Sequence, residues 1–362
     1  MNLPDGRLPT WTVLVPVAAA ALALAKLLHV ADGGWALALA APLLLGSVFA
    51  AVTHAEVLAL RLGQPFGSLL LAVAVTVIEL GLILSIMLGD PVAGKTVARD
   101  TVFATVMLVL NLILGLALIL GGRRHGELPF STDGAAAGLA VLGTLAALAM
   151  ILPNFTIATP GPTYSPGQLV MVAASSLVLY AVFVFVQTVR HRDYFLEAPG
   201  ATAEEPHARP SARLAGRSLL LLLLALFAVV ILAKALSAPL SAAVASAGLP
   251  PAVTGAIVAA VVLLPEGIAA VRSARLNRLQ NSINLALGSG IASIGLTLPA
   301  VAVVSLAFGL PIDLGVSPEQ ITILALTLFV ATLTLGTGRT TVLNGAIHLT
   351  LAAAFLTITV VP

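Results

Sequence analysis

Eleven stretches of about twenty mostly apolar residues recur along this chain, and each is long enough to cross a bilayer. They lie at roughly 11–30, 35–58, 66–88, 100–121, 134–153, 166–189, 217–237, 250–271, 282–309, 318–337 and 340–361 of the 362 residues. Inside hydrocarbon every backbone polar group must be satisfied by the chain itself, and runs of this length do so as helices. Charged residues are 9% of the chain, against about 25% in a soluble domain. The expected fold is an all-α integral membrane protein with about eleven transmembrane helices. A net charge of +2 implies no nucleic acid or other polyanionic partner. With no cysteine, disulfides, iron–sulfur clusters and thiol chemistry are excluded. The leader of the first run holds Asp5 and Arg7 and lacks the positive excess of a secretory signal, so this run is expected to be a retained span.

Residues 190–216 form the only long polar connection, and their Pro, Ala and charge content reads as a linker. Eleven spans make the loops alternate sides. Thirteen of the 17 basic residues then fall on the side of the N-terminus, leaving Lys26, Lys95, Arg99 and Lys234 opposite. The bias predicts a cytoplasmic N-terminus and an external C-terminus. Abundant alanine, and arginine in place of lysine, suit a GC-rich bacterial genome, so the expected location is the bacterial inner (cytoplasmic) membrane.

Two windows resemble each other. QPFGSLLLAVAVTVIELGLILSIM begins at Gln64, and LPPAVTGAIVAAVVLLPEGIAAVRSA begins at Leu249. Each opens with proline, has a glycine soon after, then runs apolar to a glutamate with a glycine just past it. Glu79 lies in span three and Glu266 in span eight. An odd offset of five means that the two helices cross in opposite directions, as in an inverted-topology repeat. The expected organisation is an N-terminal helix in 1–33, a five-helix repeat in 34–189, a cytoplasmic linker in 190–216 and a second five-helix repeat in 217–362.

Glu79 and Glu266 are the acidic residues deepest in their spans. A charge there costs at least about 2.5–3.5 kcal/mol and usually faces a cavity or a partner. An empty buried carboxylate takes a proton, and a bound cation removes the same penalty, so proton and cation compete for one site. Two carboxylates balance one divalent ion or two protons. Oxygen ligands suit hard cations such as Ca²⁺, which takes six to eight. Pro265 lacks an N–H and its ring clashes with the carbonyl four residues back, so a helix break there should free the Val261 carbonyl. In span three Thr76 or Gly81 would supply the break. Asn111, Ser289, Ser293 and Thr297 offer further oxygens. Asn281 and Asn284 lie nearer the cytoplasmic end. His54 and Glu56 have a ligand-like spacing at the cytoplasmic rim and read as a gate or proton entry. The bland readings are a protonated glutamate serving as an inert interhelical bond, small polar residues as packing glue, proline as a kink, and His348 as a satisfied core histidine. A channel would need a filter sequence, and none is visible. Gly288-Ser289-Gly290 with His348 faintly suggests an intramembrane serine protease, for which no oxyanion partner can be named.

HAEVLALRLGQPFGSLLLAVAVTVIE (54–79) and LLPEGIAAVRSARLNRLQNSINLALGSGIASIGLTLPA (263–300) resemble the bacterial branch of the calcium/proton exchanger family, within the calcium:cation antiporter superfamily. The resemblance covers both signature regions and implies sodium/potassium/calcium–proton antiport without a cofactor. Its acidic signature residues correspond to Glu79 and Glu266. Its small polar residues correspond to Ser289 in LALGSG (285–290) and to Asn111 and Thr105 in TVFATVMLVLN (101–111). Where relatives often have Gly-Asn-Ala before the glutamate, this chain has Thr76-Val77-Ile78 and Leu263-Leu264-Pro265. The function expected is export of Ca²⁺ against H⁺, with Na⁺ or K⁺ as the alternative ion. The partners expected are inorganic cations, protons and the lipid bilayer.

Overall fold

The structure, a computed structural model, describes residues 8–31, 33–63, 66–89, 93–197 and 209–362. Asp5 and Arg7, and the linker residues 198–208 with Glu204 and Glu205, lie outside the described residues. Among the described residues, eleven helices are long and apolar enough to span a membrane. They are α1 (Thr10–Leu27), α2 (Gly34–Leu62), α3 (Phe66–Gly89), α4 (Val97–His125), α5 (Thr132–Phe155), α6 (Pro166–Arg190), α7 (Ala212–Ser246), α8 (Ala252–Arg275), α9 (Leu279–Phe308), α10 (Pro318–Leu335) and α11 (Val342–Val360). The number agrees with the hydropathy reading, and most ends agree within a few residues. The exception is α7, which continues to 35 residues. Its ends, ARLAGR and SAPLSAAVAS, are rich in alanine, the strongest helix former, and the helix continues through Pro239.

These helices fall into two compact units, residues 1–94 with 204–243 and residues 95–203 with 244–362. In the first, α1 packs on α2 and α2 on α3. A Cβ at Gly81 would sit 2.7 Å from Val230 Cγ2, so the glycine lets α3 approach α7 closely. Arg61, at the end of α2, donates to the Pro210 carbonyl at 3.0 Å.

In the second unit α4 is the most buried span and packs against α8 and α11. Membrane helices associate by close packing of small residues, and α4 does so with both neighbours. A Cβ at Gly255 of α8 would lie 2.7 Å from Asp100 Cβ, and one at Gly345 of α11 would lie 2.8 Å from the Gly115 carbonyl oxygen. Asp100 is 4% exposed, a burial its place at a span end did not suggest. Arg99 pairs with it at 2.8 Å and donates to the Gly315 carbonyl at 3.1 Å.

Several spans open locally into π-helical turns, at Leu108–Ile113 in α4, Ala147–Ile151 in α5, Val186–Arg190 in α6 and Ser293–Thr297 in α9. Such turns disturb the regular carbonyl pairing and recur at functional sites. In α5 the Leu148 carbonyl accepts from the Tyr164 hydroxyl at 2.6 Å. Burial pushes that hydroxyl up to about 12, so it remains a donor. By contrast, α8 runs unbroken through Pro265, and α3 is continuous past Thr76 and Gly81. The expected break at Pro265 is corrected accordingly. The helix bridges the proline, whose missing N–H still leaves the Val261 carbonyl without that partner.

Ser-Pro-x-Gln starts both α6 and α10, with Ser165 and Gln168, and Ser317 and Gln320, forming reciprocal capping boxes. The short strands β1 (Leu128–Pro129) and β2 (Arg339–Thr340) pair antiparallel and tie the α4–α5 turn to the GTGRT turn. Part of the expected linker is built into the bundle. Glu197 accepts from the backbone amides of Gln280 and Asn281 at 3.2 and 3.0 Å, at the start of α9, and Asn284 donates to the Phe195 carbonyl at 2.8 Å. A carboxylate suits the unpaired amides and dipole of a helix N-terminus. Glu197→Gln is expected to cost about 1 kcal/mol, read as a lower thermal midpoint of the detergent-solubilised protein. An unchanged midpoint would remove this role.

Candidate functional site

Glu266 lies at mid-length on α8, half-buried, and its carboxylate accepts the Ser289 hydroxyl of α9. One turn along α9 from Ser289, the π turn begins at Ser293, which is 3% exposed, and it ends at Thr297, which is fully buried. A second tie fixes the same pair of helices, because Ser282 donates to the Ala270 carbonyl at 2.6 Å. The sequence-predicted pair Glu266 and Ser289 is therefore in direct contact, carboxylate to hydroxyl, on helices locked together at two levels.

Asn111 sits inside the π turn of α4, which packs against both α8 and α9. Its side chain is committed elsewhere. Nδ2 donates to the Thr327 hydroxyl at 3.0 Å, and Oδ1 faces His348 Nδ1 at 3.2 Å. With the amide oxygen on the ring, Nδ1 carries the proton, and Nε2 accepts from the Thr334 hydroxyl at 3.1 Å. Thr327 in turn donates to the Met107 sulfur at 3.7 Å. The whole chain, from Thr334 through His348 and Asn111 to Thr327, is buried. Asn111 thus serves as the centre of a network to α10 and α11, and His348 is a fully hydrogen-bonded core histidine. Neither ring nitrogen is left to activate Ser289 as a protease base. The sequence reading did not find Thr327 and Thr334. Their seven-residue spacing, which puts both on one face of α10, was the available signal.

In the other unit, Glu79 is 4% exposed on α3. Thr76, one turn before it, bonds to the Ala72 carbonyl at 2.8 Å. His54 is fully buried, and its Nε2–H donates to the Thr12 carbonyl of α1 at 2.9 Å. Its Nδ1 has no hydrogen-bond partner. Residues two apart on a helix point about 200° apart, so His54 and Glu56 face different sides of α2 and do not form a chelate. His54 instead joins α2 to α1. Among the described residues no group of three His, Asp or Glu side chains could hold a metal. Any hard cation held here would draw on carboxylate, hydroxyl and carbonyl oxygens.

A polytopic helical protein with an acid inside the apolar run of each of two similar windows has the plan of a secondary cation transporter. The sequence profile of the sodium/calcium exchanger protein family matches residues 33–189 and 217–361. The chain belongs to that family, and cation exchange is its activity. It is 51% identical over 365 residues to y4hA of Sinorhizobium fredii, a protein named as an ionic transporter, covering 100% of this chain and 99% of that one. It is 35% identical over 317 residues to the sodium-potassium/proton antiporter ChaA of Escherichia coli K12, covering 86% and 85%. Its fold is similar to that of the selenium-substituted Ca²⁺/H⁺ antiporter protein YfkE, with a TM-score of 0.73 at 15% identity over 97% of this chain and 99% of that one.

Proposed function

We propose that this protein exports Ca²⁺ from the bacterial cytoplasm in exchange for H⁺, with Glu79 and Glu266, one from each repeat, serving one cation site in the membrane. The observation that supports it best is the Glu266 carboxylate held by the Ser289 hydroxyl beside a π turn, together with a second acid, Glu79, buried on α3. Two carboxylates carry the charge of one divalent ion or of two protons. The cation-loaded and doubly protonated forms are both neutralised and can switch access. The empty doubly ionised form cannot, because two bare charges would be buried, and this couples the two fluxes. Ser293, Thr76 and the Val261 carbonyl are proposed to complete the oxygen shell, and Asn111 to hold its π turn in shape through α10 and α11. The basic side of the bundle, which carries the N-terminus and the 190–216 linker, is proposed to be cytoplasmic.

A second reading keeps the site and changes the ion to Na⁺ or K⁺, leaving one carboxylate to retain a proton. The name of the 35% identical relative favours it. Everted vesicles with an imposed pH gradient separate the two. Collapse of the gradient by micromolar Ca²⁺ is expected. Collapse by millimolar K⁺ or Na⁺, with none by Ca²⁺, would give the site to monovalent ions.

A further inference from the structure

We propose that a groove on the flank of α4 and α8 binds an anionic phospholipid, with its phosphate on Arg124, Arg272 and Arg275 and an acyl chain in the furrow that runs from them. The groove encloses about 630 Å³ and is lined entirely by the second unit. Leu112 and Leu116 form one wall, Leu264 and Ile268 the other, and Gly267 keeps the floor open. A Cβ at Gly267 would stand 3.2 Å from the Ile113 side chain. Leu264 and Ile268 are 45% and 57% exposed, so the second unit itself does not cover this surface.

The lining residues of α8 recur at helical spacing, forming one stripe from Ala260 to Arg275. Fifteen residues span about 22 Å, and one leaflet with its headgroup layer is about 20–22 Å deep. The stripe thus has the length of one lipid. At its end, α4 and α8 finish together, and His125 donates to the Arg275 carbonyl at 3.0 Å. That tie gathers three exposed guanidinium groups at the mouth of the groove. Among the described residues none of the three pairs with a carboxylate. Guanidinium groups bind phosphate oxygens in a two-pronged fashion, and basic pockets between membrane helices suit anionic headgroups. Free phosphate would meet the arginines and leave the furrow empty. A zwitterionic lipid would fill the furrow without a net charge for the arginines, whereas an anionic lipid meets both. All three arginines lie on the side where basic residues concentrate, the side of the anionic cytoplasmic leaflet if the charge bias sets the orientation.

The test uses the full-length protein, delipidated in detergent and titrated with phosphatidylglycerol, phosphatidylethanolamine of the same chains, or inorganic phosphate, and read by native mass spectrometry. Phosphatidylglycerol is expected to bind at least about 10-fold tighter than phosphatidylethanolamine. Combining Arg124→Gln, Arg272→Gln and Arg275→Gln should erase that preference, and the matching triple change to Lys should keep most of it. Leu264→Trp, which fills the furrow, should weaken both lipids while elution on gel filtration stays unchanged. The proposal is overturned if the triple Gln variant keeps the preference, if phosphate alone binds as tightly as the lipid, or if the delipidated protein is a dimer whose interface covers the groove.

Discussion

Everted vesicles carrying Glu266→Gln are expected to lose proton-coupled cation flux by roughly 100-fold or more, with the protein still inserted at normal levels. Glutamine keeps the size of the side chain and can still accept the Ser289 hydroxyl, so the packing of α8 on α9 survives. In the proposed mechanism it removes the charge that balances the cation and the group that takes the proton. Removing one partner of a buried charge pair costs about 3–5 kcal/mol, which corresponds to at least about 100-fold in affinity. Glu79→Gln is expected to do the same from the other repeat. Full flux in either variant would defeat the assignment of that residue.

The largest structural effect is expected at Gly255. Even a single methyl group there would lie 2.7 Å from Asp100 Cβ and 2.8 Å from the Asp100 carbonyl carbon, so α8 would have to leave the first turn of α4. That turn cannot yield freely, because Asp100 is buried and paired with Arg99, which is itself bonded to the Gly315 carbonyl. Gly255→Leu should cost about 3 kcal/mol or more, the upper range for overpacking, and most of the protein should elute as aggregate. Gly216→Ala is the control, since a Cβ at Gly216 meets nothing within 4 Å. A monodisperse Gly255→Leu variant with an unchanged thermal midpoint would show that the contact between α4 and α8 is not tight.

Hydropathy made the spans legible, because in a bilayer length and apolarity alone decide what crosses. The two glutamates were legible for the same reason, as charges where charges are costly. The π turns were not, since a single widened turn leaves the apolar pattern of α4 and α9 almost unchanged. Pro265 misled because a helix can bridge a proline when its neighbours hold it, and α8 is pinned through Ser282 and Ser289. Asn111 was found as a buried polar residue, but its partners Thr327 and His348 are more than 200 residues away in sequence, and no local pattern announces such a bond. Glu197 looks like any loop acid until α9 folds and presents two unpaired amides to it.

The most direct test is cation binding to purified protein, with proton release counted at the same time, for wild type, Glu79→Gln, Glu266→Gln and the double variant. The cation is the one that wild-type vesicles exchange. If both acids form one pocket, each single change should remove as much binding and proton release as the two together. Half the binding surviving in each single variant, and vanishing only when both are combined, would mean two separate sites and would contradict the exchange mechanism.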